Sequence, residues 1–136
     1  MRKLARKRRN AGTALVETAL SLSLFTSIVF SLFDFGYIMF MHQTIAARAE
    51  SAARYGSLNP TDTTGMKNYV LYNATSGSGT AIFGLTLSNV SATRTGSGTT
   101  EDRVVVTVSN WRFPAIAPAM SGTGKPITVS MPVEAN

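Results

Sequence analysis

Two acids stand inside an otherwise apolar stretch. Glu17 and Asp34 are the only charged residues between Ala11 and Met41. An ionisable group at membrane depth needs a partner, so each acid is a candidate for function. Asp34 lies near the outer end of the stretch, where its side chain can reach a headgroup region. Glu17 lies just inside the inner end, five positions after Gly12. Elsewhere the chemistry is sparse. The chain has no cysteine, which removes disulfides, thiolate metal sites and cysteine nucleophiles. His42 is the one histidine and has no companion ligands. Glu101 and Asp102 are adjacent in a turn, where a solvated role is expected. No glycine-rich loop has a phosphate-binding context. The expectation is a protein that is not an enzyme and uses no metal or cofactor.

The element that must position the two acids is a long helix. Thr18 to Phe33 holds sixteen residues without a charge. At about 1.5 Å per residue this is roughly 24 Å, slightly short of a bilayer core. Phe35 to Met41 extends the apolar run past Asp34, and the whole is long enough to span. A cleavable secretory signal is the main competitor. Its apolar core would be about 7–15 residues without an acid at its front. Ala47-Arg48-Ala49 imitates a cleavage site but follows too long an apolar run. Ala19, Ser23, Ser27 and Ser31 recur every four residues and form one small-residue stripe. Such stripes let membrane helices approach closely. Equally, each serine hydroxyl can bond back to the carbonyl four residues earlier and be merely tolerated.

The charge is localised. Arg2, Lys3, Arg6, Lys7, Arg8 and Arg9 account for the whole net charge of +6, and from residue 10 onward the chain is formally neutral. A nucleic-acid binder would carry basic residues in its folded part as well. Placed directly before an apolar helix, the basic run fits the positive-inside rule. It sets the N-terminus in the cytoplasm and exports the rest, with no nucleic-acid partner expected.

The junction reads Gly12-Thr13-Ala14-Leu15-Val16-Glu17-Thr18-Ala19-Leu20. A basic leader, a glycine, a glutamate five residues later and an apolar helix, in that order, resemble the prepilin processing signal of type IV pilins and pseudopilins. The resemblance implies cleavage after Gly12 by a membrane-embedded prepilin peptidase, leaving Thr13 as the new N-terminus. A glycine lets extended backbone enter a tight protease site. The cut would create an α-ammonium at Thr13, one helical turn from Glu17. The carboxylate could also meet the ammonium of a neighbouring subunit and set its register, offsetting the cost of burying either charge alone. The same segment is similar to TadE-like proteins, pseudopilins or minor pilins of the tight-adherence (Tad) pilus system. Phe35-Gly36-Tyr37 and Ala52-Ala53-Arg54-Tyr55-Gly56 share that resemblance, which covers roughly residues 10–56. Major pilins of that system resemble a shorter chain with tyrosine after the glutamate. Thr18 and the appended domain depart from this and imply a minor component. The implied partners are the prepilin peptidase, other pilins or pseudopilins, the pilus assembly platform and the membrane.

Beyond Met41 the helical pattern continues to Tyr55, with Arg48, Glu50 and Arg54 spaced as an exposed face and Gly56 as the stop. Glu50 and Arg54 form an i,i+4 pair. Met66 to Asn73 reads as a short helix. Leu85 and Leu87, then Val90 and Ala92 with shifted parity, suggest a strand with a bulge near Asn89. Val104, Val106 and Val108 mark the clearest strand. Ile127, Val129, Met131 and Val133 alternate, with Pro132 marking an edge. Trp111 to Met120 reads as a loop, and its apolar cluster Trp111, Phe113, Pro114 and Ile116 either caps the core or forms a contact patch for a partner, with Trp111 and Phe113 as the candidate contacts. Asn73-Ala-Thr75 and Asn89-Val-Ser91 match glycosylation sequons, which the bacterial resemblance discounts.

The expected architecture is α+β: a basic leader over 1–12, a helix over 13–56 spanning the membrane in its first half, and an exported β-rich domain over 57–136. Its sheet has three or four antiparallel strands packed on the outer half of the helix. The expected protein assembles or primes a Tad-type pilus from the bacterial inner membrane. The alternatives are an uncleaved, membrane-anchored binding module and a pilus tip adhesin.

Overall fold

A computed structural model describes residues 3–116 and 121–134, with side chains described from Gly12 onward. The side chains of the basic leader, and residues 117–120 of the expected loop, lie outside the described residues. Helix α1 runs through Lys3–Leu58 without a break. Its lower part is uncovered. The most apolar 18-residue window has a mean hydropathy of 1.7, and none of it is buried. Its upper part turns one stripe inward, through Met41, Ile45, Ala49, Ala52 and Ala53. That spacing of three and four residues is the period of one helix face.

The helix ends later than the glycine signal suggests. Gly56 sits inside α1, because a side chain there would meet Met66 Sδ at 2.6 Å and Val104 Cγ1 at 2.9 Å. Its role is close packing, and the stop falls at Asn59-Pro60. The Asn59 amide donates to the Tyr55 carbonyl at 3.0 Å, closing the last turn. Helix α2 spans Thr63–Tyr72, beginning three residues before the expected Met66. The reason is a cap: Asp62 Oδ1 accepts from the Gly65 amide at 2.8 Å. Asn73 closes α2 in the left-handed conformation, which asparagine tolerates.

Strands β1 (Val90–Thr95), β2 (Arg103–Val108) and β5 (Ile127–Pro132) form an antiparallel sheet in the order β1-β2-β5. Val104, Val106 and Val108 all face inward and are fully buried. Val106 pairs with Ala92 on one side and Val129 on the other, which fixes the register. Pro132 lies on edge strand β5, as its missing N–H requires. The sheet packs on α1, with α2 against α1 and β1. The architecture is therefore α+β, as expected.

Two expectations about strands are corrected. Leu85 and Leu87 do not belong to a strand with a bulge. Leu87–Asn89 is a 3₁₀ turn, and β1 starts only at Val90. Asn89 explains this: its side-chain oxygen accepts from the Thr86 amide at 2.9 Å, and its Nδ2 donates to the carbonyls of Ser109 and Asn110. These local bonds outcompete strand pairing. The stretch after Trp111 is not all loop either. Strand β3 (Arg112–Phe113) pairs with β4 (Gly122–Thr123) as a short separate ribbon.

Candidate functional site

The junction is geometrically simple. Gly12, Thr13, Glu17, Ala19, Ser23, Ser27 and Ser31 are all exposed on the uncovered part of α1. Thr13 and Glu17 are four residues apart on one continuous helix, so their side chains share a face. Gly12 has nothing within 4 Å of where a side chain would lie. A glycine inside a helix costs roughly 1 kcal/mol relative to alanine, and no packing among the described residues requires this one. The Ser27 hydroxyl donates to the Ser23 carbonyl at 2.8 Å, and Ser31 donates to the Ser27 carbonyl at 2.9 Å. These hydroxyls are satisfied within the helix, while the stripe itself stays open.

The second acid behaves differently. Asp34 is only 3% exposed, although α1 is bare directly below it. Its Oδ1 accepts the Ile116 amide at 2.8 Å, from a residue 82 positions away. Asp34 therefore does not stand free in a headgroup region. The segment after β3 comes down to cover it, and Phe33, Asp34, Tyr37, Pro114, Ala115 and Ile116 line a shared crevice.

Just above, Trp111 is 3% exposed and lies in the core. Its Nε1 donates to the Lys125 carbonyl at 2.9 Å, and its ring meets His42 and Phe113 at centroid distances of 6.0 and 5.7 Å. Gly124 makes room for the indole, since a side chain there would fall 2.0 Å from Trp111 Cε2. Phe113 is half-buried beside it. The ribbon β3-β4, its indole and the Asp34 bond together fasten the lower edge of the domain to α1.

The charged groups of the domain are structural. Glu50 and Arg54 pair at 2.7 Å on an exposed face, as their spacing predicts. Arg48 does not belong to that face: it is half-buried, and its Nη1 is buried with no hydrogen-bond partner among the described residues. Asp102 is not solvated. Arg94 Nε donates to its Oδ1 at 2.8 Å and Nη2 donates to the other oxygen. The hydrogen bonds from Arg94 hold the Asp102 carboxyl below the usual range, against the opposing effect of burial. Asp62 is likewise lowered, first by the Gly65 amide and then by the Tyr55 hydroxyl, which donates at 2.7 Å. Sequence reasoning missed the Asp34 contact, and its only available signal was a charge that an apolar helix retains. Among the described residues, no cluster of three or more potential metal ligands occurs.

Helix and sheet together define the architecture: one helix long and apolar enough to cross a membrane, followed by a small α+β domain on its upper half. Residues 12–54 match the family model described as TadE-like protein, over roughly a third of the chain. That segment begins at Gly12 and stops just short of Gly56. It contains Glu17, the serine stripe and Asp34, and it carries the resemblance read from the junction residues. No curated protein and no solved structure matches the chain.

Proposed function

We propose that this protein is a minor pilin or pseudopilin of a Tad-type pilus, processed after Gly12, with no enzymatic activity of its own. The observation that carries the reading is the TadE-like match over residues 12–54, which starts at the glycine of the expected processing signal. The local geometry supports it. Gly12 lies in a helix that gains nothing from a glycine there, so its value is sought outside the fold. The open stretch of α1 below Asp34 carries Glu17 and, on another face, the stripe Ala19, Ser23, Ser27 and Ser31. On this reading the stripe packs against other helices, and Glu17 pairs with the α-ammonium of Thr13, in the same or a neighbouring subunit. The basic leader holds the N-terminus in the cytoplasm until it is removed, and the sheet domain is exported. Partners are the prepilin peptidase, other pilins and the assembly platform.

The test is mass spectrometry of the protein extracted from membranes of cells with an active prepilin peptidase. The expected N-terminus is Thr13, and Gly12→Ala is expected to leave most of the protein uncut without weakening the helix. A mature chain beginning at Met1 would favour the uncleaved binding module instead.

A further inference from the structure

The segment that covers Asp34 has an unusual outer surface. Pro114, Ala115 and Ile116 carry no charge, and Ile116 is 61% exposed. Its amide is bound to Asp34, so Ile116 lies at the level of that residue along α1. Around this level the helix shows exposed apolar side chains: Leu32, Phe33, Phe35 and, one turn higher, Tyr37 and Phe40. The exposed isoleucine thus continues the apolar band of the helix sideways onto the domain.

The level can be placed. From Thr13 to Asp34 the helix rises about 31 Å. A bilayer's hydrocarbon core is about 30 Å thick. With Thr13 at one boundary, Asp34 falls at the other, with Tyr37 just beyond it, where interfacial tyrosines are favoured. Non-helical backbone that approaches the hydrocarbon is favoured when its amides are satisfied by protein. The Asp34 carboxylate supplies that partner to the Ile116 N–H.

We infer that Pro114–Ile116 is a membrane-seating tip: it rests in the outer interface of the bilayer, hung from Asp34, and sets the height and tilt of the sheet domain above the lipid. The partner is the lipid surface itself. The inference rests on α1 spanning the bilayer, but not on cleavage or on a role in a pilus.

The chain has no cysteine, so single substitutions give unique labelling sites. The full chain carrying Ile116→Cys, Leu24→Cys or Ser97→Cys would be labelled with an environment-sensitive fluorophore and reconstituted into vesicles at high lipid-to-protein ratio. Leu24 is exposed on the apolar helix, and Ser97 is exposed in the turn at the far end of the sheet. Phospholipid brominated near the headgroup end of its acyl chains is expected to quench the probe at 116, while aqueous iodide does not. Iodide is expected to quench only the probe at 97. Quenching at 116 by iodide, or by neither agent, overturns the inference, the latter because another protein surface would then cover the tip. Failure of phospholipid brominated near the methyl end of its acyl chains to quench the probe at 24, which lies about 16 Å along the helix from Thr13, would instead overturn the span itself. Adding Asp34→Ala to Ile116→Cys is expected to expose the probe to iodide. Unchanged quenching there would remove Asp34 as the hook.

Discussion

At the scale of single residues, the two acids of the apolar stretch have parted company. Glu17 is exposed on a bare helix, and its spacing from Thr13 is a helical turn. If its role is to register subunits, removing the carboxylate should spare processing and harm assembly. Glu17→Ala is therefore expected to yield a normally cut protein, by mass spectrometry, with piliation strongly reduced by electron microscopy. Normal piliation would remove the registering role. Asp34, by contrast, belongs to the fold of the domain, because its carboxylate is occupied by the Ile116 amide. Glycines divide in the same way. Gly12 and Gly36 have open space around them, whereas Gly56 and Gly124 are crowded by Met66, Val104 and Trp111. Sequence position alone does not separate these groups, since each lies in a plausible context.

At the scale of elements, the stability of the domain depends on how closely α1 approaches α2 and β2. At Gly56 a side chain would meet Met66 Sδ of α2 at 2.6 Å and Val104 Cγ1 of β2 at 2.9 Å. Both neighbours are fully buried and have little room to move. Gly56→Ala is expected to overpack this junction at a cost of about 1–3 kcal/mol. For a domain of this size each kcal/mol lowers Tm by about 4–8 °C. Thermal unfolding followed by near-ultraviolet circular dichroism checks this, with Gly36→Ala, which meets open space on the same helix, as a control that should leave the transition unchanged or raise it. The strands with strict alternation, β2 and β5, were legible because a sheet with one buried face imposes period two. Residues 85–89 were not, because their shape is decided by the side-chain bonds of Asn89 to Thr86, Ser109 and Asn110. The helix reading of α2 was right in kind but began late, since the cap at Asp62 precedes the hydrophobic run.

For the whole molecule, the hydrogen-bonded acids of the domain beyond α1 have a consequence for pH. Asp102 and Asp62 both have carboxyl pKa values held below 3.8 by hydrogen bonds made only in the folded state. A lowered folded-state pKa contributes stability above the unfolded value and loses it as pH falls through the folded one. Thermal unfolding of the detergent-solubilised full chain should therefore be nearly flat from about pH 7 to about pH 5 and fall below about pH 4. Asp102→Asn should lower the neutral-pH Tm and reduce the acid slope, because it removes one of the two linked groups. An unaltered slope would place the acid sensitivity elsewhere.

Periodicity and composition were sufficient for the apolar helix, its basic flank, the α+β class and the edge position of Pro132, while the junction was read by its resemblance to TadE-like proteins. These depend on local spacing, and spacing survives in a one-dimensional string. What required the tertiary structure were contacts between distant segments. The packing role of Gly56, the seat of Trp111 over Gly124 and above all the Asp34–Ile116 bond arise only when the domain folds back along α1. Asp34 read as a charge at ease near headgroups because nothing adjacent in sequence could cover it. Folding brings in a partner from 82 positions away, and a residue that the apolar helix merely carries becomes a tie between α1 and the domain.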